Sequence, residues 1–319
     1  YPDWPDSETM RQKAEQAINV LSWSPNQAVA YFDRLPPLTN GGRAKYALAL
    51  DATGDKVRAE AVAREAWRGG PLTDDDEARL QRIVGPRLSA ADHDARVDRL
   101  LWSGATRAAE RHIAYTSPQR RPAFMAILAT KTKNPEATLR LQEAGAATRN
   151  EAGLLAAQAD ALRTAGNSYA ARELLANRGN LITPPPVMKD WYKLLLTHAE
   201  GAANDGQYDL AYRIASRIDD SVPPGLNLLA EDLTTRDRYT SLMWLAGTTA
   251  LDRLGRPKDA VGMFTRYAAA AKSPQTRSKG LYWAGKAAAR GGDQVGAANF
   301  YNQAAVYYDS FFGQLALEQ

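Results

Sequence analysis

The chain has 319 residues, no cysteine and a formal net charge of +4. These exclude disulfides and thiolate metal sites, and a charge this small makes no case for nucleic acid. No run approaches the roughly 18 apolar residues that a membrane span needs.

Tyr1 to Asp6 reads as a proline-containing tail, and the opening Tyr1-Pro2, in place of Met, fits removal of a leader, although none is visible. A first helix is expected from about Ser7 to Leu21. Ser24-Pro25 starts the next, with serine capping free N–H groups and proline at a position where its missing donor costs nothing. Ser117-Pro118, Asn134-Pro135 and Ser273-Pro274 repeat the device. Four such starts, and no Asn-Gly hairpin between alternating strands, argue against a sheet. Proline clusters mark irregular connections at Leu35–Gly42, Leu181–Val187 and Asp219–Asn227. The last is the best domain boundary, dividing 1–225 from 226–319.

Between these landmarks one turn recurs. Gly54, Gly104, Gly166, Gly206, Gly255 and Gly292 are each followed five residues later by alanine: Ala59, Ala109, Ala171, Ala211, Ala260 and Ala297. Glycine ends one helix, and alanine marks where the next approaches it with nothing between them. Helical apolar spacing returns after the alanine, as in Ala260, Met263, Phe264 and Tyr267. In the last such pair a small face (Leu281, Ala284, Gly285, Ala288) would meet a bulky one (Ala297, Phe300, Tyr301, Ala304, Tyr308). The glycines are separated by 37 to 62 residues, unlike a strict tetratricopeptide period of about 34. The expected fold is therefore all-α: a right-handed α-solenoid, or superhelix, of antiparallel helix hairpins. It is tetratricopeptide-like but degenerate, and open to curving into an arc or ring. At this length a single core would exceed the roughly 250–300 residues at which such cores stop growing, a limit that stacked repeats escape.

Candidate chemistry is sparse. His93, His112 and His198 lie far apart in no metal-ligand spacing, and His112 takes a packing position three residues after Ala109. Asp74, Asp75, Asp76 and Glu77 follow Thr73 and read as first-turn carboxylates, not a cation site. Arg120-Arg121 reads as a solvated pair. No phosphate-binding GxxxxGK[ST] is present, and Gly291, Gly292 and Gly296 match only a fragment of a glycine fingerprint, following no strand. No cofactor is expected, and no two carboxylates stand out as a glycosidase pair.

Residues 241–319 hold nine Lys/Arg against five Asp/Glu, and 11 of the chain's 27 aromatic residues. These aromatics either fill the helical core or face an anionic or carbohydrate partner. Within this segment, Tyr282-Trp283-Ala284-Gly285-Lys286-Ala287 and Phe311-Phe312-Gly313-Gln314-Leu315-Ala316 resemble the end of the superhelical region of soluble lytic murein transglycosylases, with Phe312 where that family has tyrosine. Lys45–Leu80 is also similar to the solenoid of such enzymes.

The resemblance implies a periplasmic enzyme, an address the lack of cysteine also fits. Such enzymes cleave between N-acetylmuramic acid and N-acetylglucosamine without water, leaving a 1,6-anhydro end, through a glutamate in a Glu-Ser motif of a lysozyme-like domain. None of the 13 glutamates here precedes serine, so no catalytic residue carries over. The expected partners are a covalently following catalytic domain and, through the parent enzyme, peptidoglycan glycan strands. Tyr282, Trp283, Lys286, Phe311, Phe312 and Gln314 would face one of these. The alternatives are a stand-alone helical-repeat adaptor that binds a protein or peptide on its concave face, and an enzyme with an unrecognised site.

Overall fold

The computed structural model describes residues 7–18 and 23–319. Every regular element among them is helical. The tail Tyr1 to Asp6 and the end of the first expected helix lie outside the described residues.

The chain packs as two compact units, Tyr1–Thr148 and Arg149–Gln319. The first holds α1 (Ser7–Ala17), α2 (Pro25–Arg34), α3 (Asn40–Thr53), α4 (Lys56–Arg68), α5 (Asp74–Val84), α6 (Ala90–Trp102), α7 (Thr106–Ile113), α8 (Arg121–Lys131) and α9 (Ala137–Ala144). The second holds α10 (Ala152–Thr164), α11 (Ser168–Ala176), α12 (Met188–Asn204), α13 (Tyr208–Ala215), α14 (Leu233–Thr248), α15 (Pro257–Ala269), α16 (Pro274–Arg290), α17 (Gln294–Ala305) and α18 (Phe311–Leu317). Principal contacts in each unit join a helix to the next or the next but one, as α4 on α6 and α12 on α14.

The six glycine bends are built alike. Each glycine has φ between +62° and +90°, a region that glycine enters without the Cβ penalty. At five bends the residue after the glycine donates its N–H to the carbonyl five residues back, as Asp55 to Leu50 and Asp293 to Ala288, both at 3.0 Å. The sixth differs because α14 runs into a π-helical turn, Thr249–Arg253. There Arg256 reaches back six residues, to the Ala250 carbonyl at 2.8 Å. All six following alanines are buried. A bend of two or three residues turns each second helix back against the first, giving the pairs α3/α4, α6/α7, α10/α11, α12/α13, α14/α15 and α16/α17.

Two of the four expected helix starts hold. Ser24 caps α2 with a full capping box, and Ser273 caps α16 by accepting from the Thr276 N–H. Ser117 does not cap a helix, because the Asp94 carboxylate takes both its N–H (2.8 Å) and its hydroxyl (2.7 Å). Helix α8 begins later, at Arg121. Asn134 instead closes a turn, accepting from the Glu136 N–H, and α9 starts at Ala137.

The proline-rich stretches at Leu181–Val187 and Asp219–Asn227 contain no α-helix, although Ile218–Ser221 winds into a 3₁₀ turn. The stretch at Leu35–Gly42 is shorter than expected, because Thr39 caps α3 and draws Gly41 and Gly42 into it. Asp74–Glu77 form the first turn of α5 under Thr73, as expected. No helix among the described residues is long and apolar enough to cross a membrane.

Candidate functional site

The expected site residues fall on α16 and α18, which pack together at one end of the second unit. Helix α16 presents the predicted small face: Leu281, Ala284, Gly285 and Ala288 are buried. On α17, Ala297, Tyr301 and Ala304 are buried against it. Tyr308 departs from this pattern. Helix α17 stops at Ala305, so Tyr308 sits in the following turn and is 63% exposed.

That turn delivers the chain into α18. Ser310 is extended, and its Oγ accepts from the Gly313 N–H at 3.1 Å. The same oxygen lies 2.7 Å from Ser278 Oγ of α16, inside the protein. Gly313 has a steric reason to be glycine, because a Cβ there would come within 1.9 Å of the Tyr307 carbonyl oxygen. The glycine in Phe-Phe-Gly-Gln therefore serves packing.

Tyr282, Phe311 and Phe312 come together. Tyr282 and Phe312 are half-buried with ring centroids 5.6 Å apart, and Tyr282 also meets Tyr301 at 5.7 Å. Phe311 stands edge-on to Phe312 at 5.1 Å but is 59% exposed. Gln314 is exposed on the same short helix.

Trp283 and Lys286 belong to a different cluster. The Trp283 ring lies 5.6 Å from Trp244 and 5.9 Å from Phe264, and the exposed Lys286 ammonium covers it at 4.6 Å. The six residues thus divide between two aromatic groups joined along α16. Of the segment's aromatics, Phe264, Tyr267 and Tyr301 are buried in the core, while Tyr308 and Phe311 are exposed.

In the first unit the fold assembles a charged cluster that sequence spacing does not disclose. His93 of α6 and His112 of α7 stack with centroids 6.3 Å apart, and each Nδ1 is buried without a protein partner. Their sequence separation hides this pairing. The Glu77 carboxylate receives His112 Nε2 at 2.9 Å, pairs with buried Arg96 and lies 3.6 Å from Arg111. The hydrogen bond from His112, helped by Arg96, holds Glu77 at about 2 against the pull of burial. Burial and the neighbouring His112 push His93 down. Arg96 lies over the Trp67 ring at 4.2 Å and donates to the Trp67 and Gly70 carbonyls. The Glu77 contacts with His112 and Arg96, and the packing of Trp67 on His112, tie α4 and α5 to α6 and α7.

Arg120 and Arg121 are likewise structural instead of solvated. Arg120 pairs with Asp98 at 3.1 Å and covers Phe124, while Arg121 donates to the Thr116 carbonyl at 2.6 Å. Among the described residues no group of three or more His, Asp or Glu is arranged to hold a metal ion. Comparison with protein-family models, curated proteins and solved structures returns no match.

Proposed function

We propose that this chain is the non-catalytic superhelical part of a periplasmic lytic transglycosylase of the soluble murein type. In this reading the hairpins stack as a degenerate tetratricopeptide-like, right-handed α-solenoid that curves into an arc or ring. The six positive-φ glycine bends, and principal contacts between helices near in sequence, support stacking of this kind. The scaffold docks a covalently following catalytic domain and confines a glycan strand beside it. Confinement raises effective concentration and holds the reacting bond in position.

The observation that carries the proposal is the meeting of the two motif halves. Tyr282 of Tyr-Trp-Ala-Gly-Lys-Ala meets Phe312 of Phe-Phe-Gly-Gln-Leu-Ala in a tilted ring contact, while Phe311 beside them remains exposed. A half-buried aromatic pair that holds an uncovered ring in place is suited to a docking face, where aromatic anchors dominate.

The test is to incubate peptidoglycan with this chain alone and, separately, with the product of its whole reading frame. Anhydromuropeptides are expected only from the latter, and only if that frame contains a Glu-Ser motif. Their release by this chain alone would overturn the scaffold reading.

A further inference from the structure

A groove of about 660 Å³ in the second unit lies between α14 and the junction of α15 with α16, with Glu200 of α12 at its edge. Three cations line it: Arg236, Lys272 and Lys279. Lys279 Nζ stands 3.6 Å from the centre of the Trp244 ring and 5.7 Å from that of Tyr267. Partial burial there pushes its ammonium below the ordinary lysine range. Arg236 spends Nε on the Glu231 carbonyl at 3.1 Å. Among the described residues none of the three has a carboxylate within ion-pair distance. Other cations of this unit do: Arg238 reaches Asp190, Arg256 reaches Asp209, Arg266 reaches Asp219 and Arg290 reaches Asp252.

We infer that this groove binds a short peptide bearing free carboxylates. Lys279, Lys272 and Arg236 take the carboxylates, and the exposed Asp237 and Glu200 take the peptide's N–H donors. Charge-assisted hydrogen bonds of this kind are roughly twice as strong as neutral ones.

Two observations select a peptide over other anions. Three cations against two carboxylates leave too small a surplus for a phosphate polyanion, whose binding rests on many neutralised charges. A saccharide would want a free aromatic platform, and none is offered. Lys279 covers one face of Trp244, Phe264 and Tyr267 crowd it at 5.4 Å each, and Tyr267 is only 8% exposed. The small apolar lining from Ala270, Ala271 and Leu245 suits short side chains. This inference stands whether or not the chain belongs to a transglycosylase.

The experiment titrates the full chain, at low ionic strength, with the free-acid tetrapeptide Ala-Glu-Ala-Ala and with its neutral counterpart, Ala-Gln-Ala-Ala amide. The free acid is expected to bind about tenfold more tightly, with added salt eroding the difference. Lys279→Met, which keeps the stem over Trp244, should weaken the free acid about tenfold and leave the helical circular dichroism unchanged. If that variant does not fold, Lys272→Gln at an exposed position should still weaken binding severalfold. Equal affinity for the two peptides, no binding up to millimolar concentration, or no effect of the lysine variants would overturn the inference. So would tighter binding of an acidic oligosaccharide such as oligogalacturonate.

Discussion

Gly285 of α16 lies against the Tyr301 ring of α17 so closely that a Cβ would come to 2.7 Å from Tyr301 Cε1. The phenol is buried and also holds Tyr282, so it has little room to withdraw. Replacing glycine by alanine inside a helix gains up to about 1 kcal/mol from backbone propensity. Overpacking a filled contact costs about 1–3 kcal/mol. Gly285→Ala should therefore be net destabilising by about 1 kcal/mol. Gly262→Ala on α15, where a Cβ meets nothing within 4 Å, should be neutral or stabilising. Denaturant midpoints of the two variants check the difference, and equal midpoints would remove close approach as the reason for Gly285.

The bends were legible because their signal is local. A glycine that must enter positive φ and an alanine that must lie under the preceding helix are five residues apart, and Gly206 with Ala211 meets both demands. Signals that depend on distant partners were not legible. Ser117 has the sequence of a cap, yet Asp94, from the preceding hairpin, takes its hydroxyl. His93 and His112 stack only because the Gly104 bend folds α7 back on α6. The candidate site was legible in part. Tyr282 and Phe312 meet, but Trp283 turns instead to Trp244, a residue 39 positions earlier that no motif marked.

The turn glycines make a separate prediction. Gly206 has φ +74° and open space around its missing Cβ, so only backbone strain opposes a side chain there. Gly206→Ala should cost about 1–2 kcal/mol, the left-handed penalty of an L residue. Gly54→Ala, in the other compact unit at φ +90°, should cost about the same. They belong to separate compact units, so their costs should add. Thermal unfolding of the single and double variants measures this, and a silent Gly206→Ala would mean that the bend relaxes without the left-handed residue.

Acid should destabilise the first unit in two stages. The depressed His93 binds its proton more weakly in the folded protein than in the unfolded chain, so the unfolded state takes up more protons. Stability is then full above the unfolded value of 6.5 and declines as pH falls below it. Burial is the main cause of this shift, His112 and Arg96 add to it, and Asp92 and Asp94 oppose it. Glu77, held at about 2 against 4.5 when unfolded, contributes stability above pH 4.5 that is lost as pH falls toward 2. That second stage is worth on the order of 3 kcal/mol. His93→Gln should flatten the first stage alone and Glu77→Gln the second, as read from denaturant midpoints across pH 7 to 3. An unchanged profile in His93→Gln would refute the first assignment.

Phe311 and Phe312 are neighbours in sequence with unequal expected costs. Phe312 is half-buried against Tyr282, so Phe312→Ala removes an aromatic contact worth about 0.5–1.5 kcal/mol beyond its lost apolar area. Phe311 is 59% exposed and touches mainly the edge of Phe312, so Phe311→Ser should shift stability by about 0.5 kcal/mol or less. If the exposed ring docks a following catalytic domain, Phe311→Ser in the whole reading frame should lower anhydromuropeptide release severalfold with the unfolding midpoint unmoved. Phe312→Ala should lower both together. Loss of release confined to Phe312→Ala, in step with its lost stability, would leave Phe311 as an ordinary surface residue and withdraw α18 as the docking face.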